Sequence, residues 1–270
     1  MLFWIILLII AILALAVVYL VAPADSTAAQ RAPFVNGKFA HRGLHTQDKS
    51  VPENSLTAFD RACSHGYGIE LDIQLSKDGQ IVVFHDDILG RVCGVEGRVD
   101  DYTYEELQQF RLCGSEEKIP LFSEVLACVN GRTPLIVELK DGPRNDELCA
   151  KALAMLREYK GEFCIESFQP YIVGWFRKNA PDIFRGQLSS YAKDLNGGKV
   201  TPATWALANM LVNVISRPQF MAYNVVCKSP LAKLCKLLGA VTVVWTVRPT
   251  NDIAKITKEN DCVIFEFYEP

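Results

Sequence analysis

The 270-residue chain lacks the local signatures of several common activities. No Gly-x-Gly-x-x-Gly follows an early strand candidate and no P-loop sequence occurs, so dinucleotide and nucleotide phosphate binding are without their usual signals. The nine cysteines are an odd number, scattered from position 63 to position 262 with no Cys-x-x-Cys pair. That distribution offers neither a disulfide framework nor a thiolate zinc site, and suits small buried hydrophobes in a reducing compartment. The formal net charge of -3 is spread along the chain without a basic block, which leaves nucleic acid no footprint. No feature calls for a protein partner.

Charge is wholly missing from residues 1–22, MLFWIILLIIAILALAVVYLVA. As a helix rising ~1.5 Å per residue, this segment matches the ~30 Å hydrocarbon core of a bilayer, so the first expectation is a transmembrane anchor and a single-pass membrane protein. A cleaved signal peptide, giving a secreted protein, is the rival. Such peptides usually carry a positive n-region and a shorter apolar stretch, both lacking here, although Ala24, Ala28 and Ala29 are small enough for cleavage. A buried soluble helix is the third alternative. Arg31, Lys38 and Arg42 follow the segment and favour a cytoplasmic domain, but the charge difference is too small to fix orientation.

Residues 23–38, rich in Ala, Pro, Ser and Gly, read as a stalk, and no second linker follows. Residues 39–270 alternate apolar strand candidates (39–42, 69–75, 134–139, 163–167, 184–188, 219–223, 241–247 and 262–266) with helix candidates. The latter are 55–64, 103–111, 123–129, 145–159, 171–179, 203–214, 230–238 and 252–258. Thr103 and Glu106 have capping-box spacing, and Gly239 is a helix stop. Leu135–Val137 and, apart from Thr242, Val241–Val244 are apolar on consecutive residues, as in a sheet covered by helices. Eight such units predict an α/β fold, a TIM (β/α)8 barrel, over an open doubly wound sheet.

The most informative stretch is IELDIQLSKDGQIVVFH, residues 69–85. Strand alternation points Glu70 and Asp72 to one face, and two adjacent carboxylates repel unless a cation or proton compensates them. Asp78-Gly79 is a two-residue turn signal, which predicts an antiparallel hairpin arm after strand 2 pairing Leu75 with Val82, Ile73 with Phe84 and Asp72 with His85. Glu138 ends another apolar strand, with Lys140 on its side. Glu70, Asp72 and Glu138 would converge at the barrel mouth as hard oxygen ligands for one divalent cation, Mg2+ or Ca2+. His41-Arg42-Gly43 closes the first strand and supplies a proton-exchanging ring, a phosphate-binding fork and a residue that allows close approach. His41 and His85 are the available acid/base pair, with neither order preferred. His45 and His65 carry little weight for chemistry. Trp245 is either a wall for a glycerol or acyl chain or a packed barrel residue.

HRG at 41–43, VPENSLTAF at 51–59, ELDIQLSKDGQIVVFHD at 70–86, IPLFSEVL at 119–126 and VELK at 137–140 come in an order and spacing that resemble the glycerophosphodiester phosphodiesterase family. The resemblance implies a TIM barrel that hydrolyses glycerophosphodiesters to glycerol 3-phosphate and an alcohol with a divalent cation. It maps the catalytic histidines onto His41 and His85, the metal ligands onto Glu70, Asp72 and Glu138, and substrate contacts onto Arg42 and Lys140. Glu53 and Asn54 match the family's residues beside the site, although Asn54 or Ser55 equally suits a helix cap. The implied mechanism runs through attack by a glycerol hydroxyl and a cyclic phosphate. The last strand departs from the family's glycine-led segment ending in Asp and Pro, with Glu266 as the stand-in. No large substrate-capping insertion fits between His85 and Glu138, which leaves hydrolysis of a lysophospholipid, in the manner of a lysophospholipase D, as the alternative. A noncatalytic membrane-tethered binding module is the remaining one.

Overall fold

The computed structural model describes residues 1–226 and 229–270, and for Asn196 only the backbone. The elements run α1 (Leu2–Val21), α2 (Ala28–Arg31), β1 (Gly37–Ala40), α3 (Leu56–Ser64), β2 (Gly68–Leu75), β3 (Ile81–Val83), α4 (Gly90–Cys93), α5 (Tyr104–Leu107), α6 (Phe122–Val129), β4 (Leu135–Leu139), α7 (Asn145–Glu158) and β5 (Phe163–Ser167). They continue with α8 (Pro170–Asn179), β6 (Arg185–Ser189), α9 (Pro202–Ala208), α10 (Asn213–Ser216), β7 (Phe220–Asn224), α11 (Pro230–Leu237), β8 (Val241–Val247), α12 (Ile253–Glu259) and β9 (Cys262–Phe265). Eight strands form a closed parallel barrel in the order β1-β9-β8-β7-β6-β5-β4-β2, sealed by β1 against the start of β2. All eight strand candidates fall on barrel strands.

Period-two alternation sorts the side chains into two cores. Ile69, Leu71 and Ile73 of β2 and Leu135, Val137 and Leu139 of β4 face outward, under α3, α6, α7 and α8. Ile136, Cys164, Phe220, Val243 and Ile264 fill the barrel interior, with Phe34, Phe39 and Phe184 stacked at the end where the strands begin. That floor depends on two glycines: a Cβ on Gly68 would lie 2.4 Å from the Phe39 ring, and one on Gly186 2.0 Å from the Phe220 ring. Glu70, Asp72 and Glu138 follow the same inward alternation, Glu70 in register with Ile136 and Asp72 with Glu138, so the barrel's pleat delivers them to its mouth.

The arm after β2 differs from expectation. β3 does pair antiparallel with β2, but Ile73 faces Val83, Gln74 faces Val82 and Leu75 faces Ile81, one residue off the predicted register. Ser76 is the cause. Its backbone N–H donates to Gln80 O at 2.9 Å, while its hydroxyl accepts from Gln80 N at 2.9 Å and donates to Asp78 Oδ1 at 2.6 Å. Only Gly79 takes a positive φ, so a longer polar loop replaces the two-residue turn.

Two helix expectations also change. Residues 203–214 are broken into α9 and α10 by a turn with Met210 at φ 59°, and the segment 103–111 is helical only to Leu107. The Thr103–Glu106 capping box forms, and Gly239 takes φ 100° just beyond α11. Residues 86–120 wrap Val82, Phe84, Leu89, Val92, Val99, Leu107, Leu112 and Ile119 into a small satellite core beside the mouth.

Candidate active site

A cavity of about 610 Å³ opens at the C-terminal ends of the strands. His41, Arg42, Glu70, His85, Glu138 and Glu166 line one side, and Phe168, Leu188, Val225, Trp245 and Ile264 form an apolar wall opposite. Asp72, Asn54 and Lys140 stand behind the acids, and Glu53 lies in a neighbouring pocket shared with His41 and Arg42.

Arg42 sits at φ 55°, a left-handed conformation that costs a non-glycine residue about 1 kcal/mol or more. The bend turns its backbone N–H onto Glu70 Oε2 at 3.0 Å and sends its guanidinium inward, Nη1 to Glu53 at 2.7 Å and Nε 3.7 Å from Asp72. Nε is buried and has no hydrogen-bond partner among the described residues, which leaves a donor for a ligand oxygen. Asn54, also left-handed at φ 54°, donates Nδ2 to Asp72 Oδ2 at 2.9 Å, whereas the cap of α3 is Ser55.

Glu70, Asp72 and Glu138 are all buried and offer oxygens within 4.8 Å of one another. Burial, together with Asp72, Glu138 and Glu166, holds the Glu70 carboxyl well above the usual carboxylate range. Burial also raises Glu138, against the pull of Lys140 Nζ at 2.8 Å, with the Asp72 charge adding to the rise. For Asp72, burial is outweighed by His85, Lys140, Arg42 and the Asn54 hydrogen bond, and its carboxyl is held far below the usual range. Desolvating a carboxylate costs several kcal/mol, so the protein's own cations balance Asp72 but leave Glu70 and Glu138 undercompensated. Three hard oxygens with surplus negative charge fit a divalent cation.

The two histidines are mounted alike. His41 Nδ1 is 3.2 Å from Glu266 Oε1, and Arg248 grips the other Glu266 oxygen with Nε at 2.7 Å and Nη2 at 2.6 Å. His85 Nδ1 is 2.6 Å from Asp86 Oδ1, and Arg91 Nε reaches Asp86 Oδ2 at 2.6 Å. A carboxylate at Nδ1 favours the tautomer with its proton there and leaves Nε2 free. For His41 that nitrogen lies 3.9 Å from Glu70, on the cavity side. Burial and the Arg42 charge lower the His41 pKa to about 4, against the opposing pull of Glu266, so the ring is neutral at pH 7.

Arg91 joins the two halves, because its Nη1 and Nη2 also hold Glu53 at 2.7 and 2.6 Å. Burial pushes Glu53 up, but the Arg91 hydrogen bonds and the Arg42 and Arg91 charges bring it down to about 2. A carboxyl depressed in the folded state contributes stability above its unfolded value of 4.5 that is lost as the pH falls toward 2. Arg91→Ala is therefore expected to destabilise the protein at pH 7, with the gap to the parent narrowing between pH 4.5 and pH 2. Urea denaturation across that range measures it, and a gap independent of pH would contradict the assignment.

Sequence reasoning missed Glu166 and undervalued His45. Glu166 is paired in register with Glu138 on the neighbouring strand, 1% exposed, with Oε2 buried and without a hydrogen-bond partner among the described residues. Burial and the Glu138 and Asp72 charges push its carboxyl well above the usual carboxylate range. A lone glutamate between Ile165 and Ser167 gave a clue only once its strand was registered against β4. His45 Nε2 lies 3.2 Å from Glu266, so that His41, His45 and Glu266 form a second cluster with ligand atoms within 4.8 Å. His65 stays at the far end of the barrel, beside Glu269 and stacked on Tyr67.

Two carboxylate-mounted histidines, a spare arginine donor and a trio of acids at one barrel mouth are the equipment of a phosphodiesterase, which must move two protons and neutralise a phosphoryl group. The comparisons with known proteins name the family. The model of the glycerophosphoryl diester phosphodiesterase family matches residues 41–269, and the chain belongs to that family. It is 34% identical over 233 residues to a glycerophosphodiester phosphodiesterase of Caldanaerobacter subterraneus, covering 81% of this chain and 88% of that one. A lysophospholipase D of Rattus norvegicus is 32% identical over 142 residues, 48% of this chain and 43% of its own. The fold is shared with an Oleispira antarctica phosphodiesterase solved with sn-glycerol-3-phosphate, at TM-score 0.69 and 21% identity, over 86% of this chain and 94% of that one.

Proposed function

We propose that the protein hydrolyses small glycerophosphodiesters to glycerol 3-phosphate and an alcohol. The observation that carries this reading is the paired mounting of His41 and His85 at one cavity with Arg42 and the three acids. His41, neutral at pH 7, takes the proton of the attacking hydroxyl, from water or from the substrate's own glycerol diol. His85, entering the step protonated, gives its Nε2 proton to the departing alkoxide while Asp86 holds Nδ1; where the diol attacks, water then opens the cyclic phosphate with the two histidines exchanging roles, which yields glycerol 3-phosphate and restores both rings. Arg42 Nε binds a phosphoryl oxygen, Lys140 steadies Asp72 and Glu138, Glu53 and Asn54 set the positions of Arg42 and Asp72, and Trp245 walls the cavity opposite. Glu70, Asp72 and Glu138 would hold one Mg2+ or Ca2+, which when bound supplies electrophilic stabilisation of phosphoryl charge. The hairpin arm formed by β2 and β3 leads His85 back to the mouth.

A second reading, a lysophospholipase D-like hydrolase, draws on the apolar wall of Phe168, Leu188, Val225 and Trp245 and on the partial likeness to the rat enzyme. α1, twenty residues long, apolar throughout and almost wholly exposed, reads as a single-pass anchor, with a cleaved signal as the alternative. Incubating the full chain with a mixed glycerophosphodiester and lysophospholipid panel, and reading products by mass, separates the activities. Glycerol 3-phosphate is the expected product. Lysophosphatidic acid plus free headgroup would select the second reading.

A further inference from the structure

The way α1 is fastened to the barrel carries information about where the mouth points. Its last residues, Tyr19 to Ala22, end a helix whose carbonyls have no partners within the helix. Arg217 Nη1 donates to Tyr19 O at 2.7 Å and Ala22 O at 2.9 Å, its guanidinium lies 4.6 Å from the Tyr19 ring, and Asn213 Nδ2 donates to Val21 O at 2.8 Å. Val21 is fully buried with Met210, Met221, Ala232 and Cys235. Beyond this joint Met1 to Ala16 are exposed, so the helix does not lie along the barrel wall.

The joint lies at the end where the strands begin, opposite the cavity. Ala24 N donates to Pro218 O just before β7, Gln219 Nε2 to Asp25 O, and Gln30 Nε2 to Asp182 O ahead of β6. The chain then runs under the barrel and buries Phe34 in its floor. At this same end α11, which packs on Val21, presents Leu237 at 84% exposure and Leu238 at 38%. Outside α1, Leu237 is the most exposed large apolar side chain among the described residues. Lys236 and Lys258 flank the pair, but Asp25 and Glu259 are exposed there too, so charge is nearly balanced and the leucines supply the affinity.

We infer that the barrel is seated on the bilayer that holds α1, strand-start end down, with Leu237 and Leu238 inserted at the lipid interface and the mouth turned to water. This deepens the proposed function and rests on its anchor reading. β2, eight residues long, spans about 20 Å at ~3.3 Å per residue and ~36° of tilt, so the cavity stands about that far above the lipid surface. A lysophospholipid would have to leave its bilayer entirely to reach His41. Water-soluble, deacylated glycerophosphodiesters arrive without that step, and they are the substrate class this geometry selects.

The test uses the full chain in phosphatidylcholine vesicles containing lipids brominated near the headgroup end of their acyl chains. An encoded fluorescent amino acid replaces Leu237 in one sample and Tyr171, in the first turn of α8 at the mouth, in another. Quenching several-fold stronger at 237 than at 171 is expected. Equal or stronger quenching at 171, or none at either position in floated vesicles, would overturn the seating. Protein that fails to float with the vesicles would overturn it through the anchor instead. Turnover of glycerophosphocholine in the same samples reports the activity separately, so loss of one reading is distinguishable from loss of the other.

Discussion

Replacing His85 with alanine is expected to lower kcat by about 10²- to 10⁴-fold, the usual contribution of a positioned acid or base, while the fold persists. His85 is part-exposed at the mouth and fills no place in the barrel core, so truncation leaves no large internal cavity. Its ring is the foremost of the groups that hold the Asp72 carboxyl low against burial, so that carboxyl should rise when the ring is lost. The diagnostic readout is the leaving group. A substrate whose alcohol departs readily without protonation should lose far less rate in His85→Ala than an alkyl diester does. An equal loss on both substrates would remove His85 from the role of acid.

The second large effect concerns Glu70, where stability and activity should move in opposite directions. Glu70→Gln keeps the shape and the acceptor for the Arg42 backbone N–H but deletes one of the repelling charges. A carboxyl raised in the folded state contributes stability below its unfolded value of 4.5 that is lost as the pH rises through its folded value. The parent, stripped of metal by chelator, should therefore lose stability toward alkaline pH, and Glu70→Gln should flatten that decline. The variant should also lose the rise in Tm that a divalent cation gives the parent, together with about 10³-fold or more of kcat, since several kcal/mol of phosphoryl stabilisation depend on the cation. A variant that kept the cation-dependent rise in Tm would place the cation elsewhere.

Much of this architecture was legible because barrel strands announce themselves by consecutive apolar residues. Leu135–Val137 and, apart from Thr242, Val241–Val244 have the pattern of strands covered on both sides; Glu138 stood out as the break in one such run, and Glu70 and Asp72 as the charged positions of a strand alternating with Ile69, Leu71 and Ile73. The arm was misread by one residue because Asp78-Gly79 has the right composition for a two-residue turn, while the deciding interaction is the Ser76 hydroxyl closing on Gln80 and Asp78. The break at Met210 was hidden for a similar reason: the apolar periodicity of 203–214 continues across a turn that tertiary packing imposes. Glu166 and His45 escaped because their meaning is relational. One gains it from register with Glu138, the other from a shared approach to Glu266, and neither partner is near in sequence. Glu266 itself could be placed only as a substitute for a missing motif, and its grip on His41 and Arg248 belongs to the fold.

A barrel that cleaves glycerophosphodiesters at a divalent-cation centre of Glu70, Asp72 and Glu138 must depend on that cation for turnover. The most direct measurement titrates Mg2+ and Ca2+ separately into chelator-stripped full-length protein with glycerophosphocholine and follows glycerol 3-phosphate by mass. Saturable, cation-dependent release of glycerol 3-phosphate, abolished by excess chelator, is predicted. A folded, cation-loaded sample that releases no glycerol 3-phosphate, or that releases it equally well in excess chelator, would contradict the account.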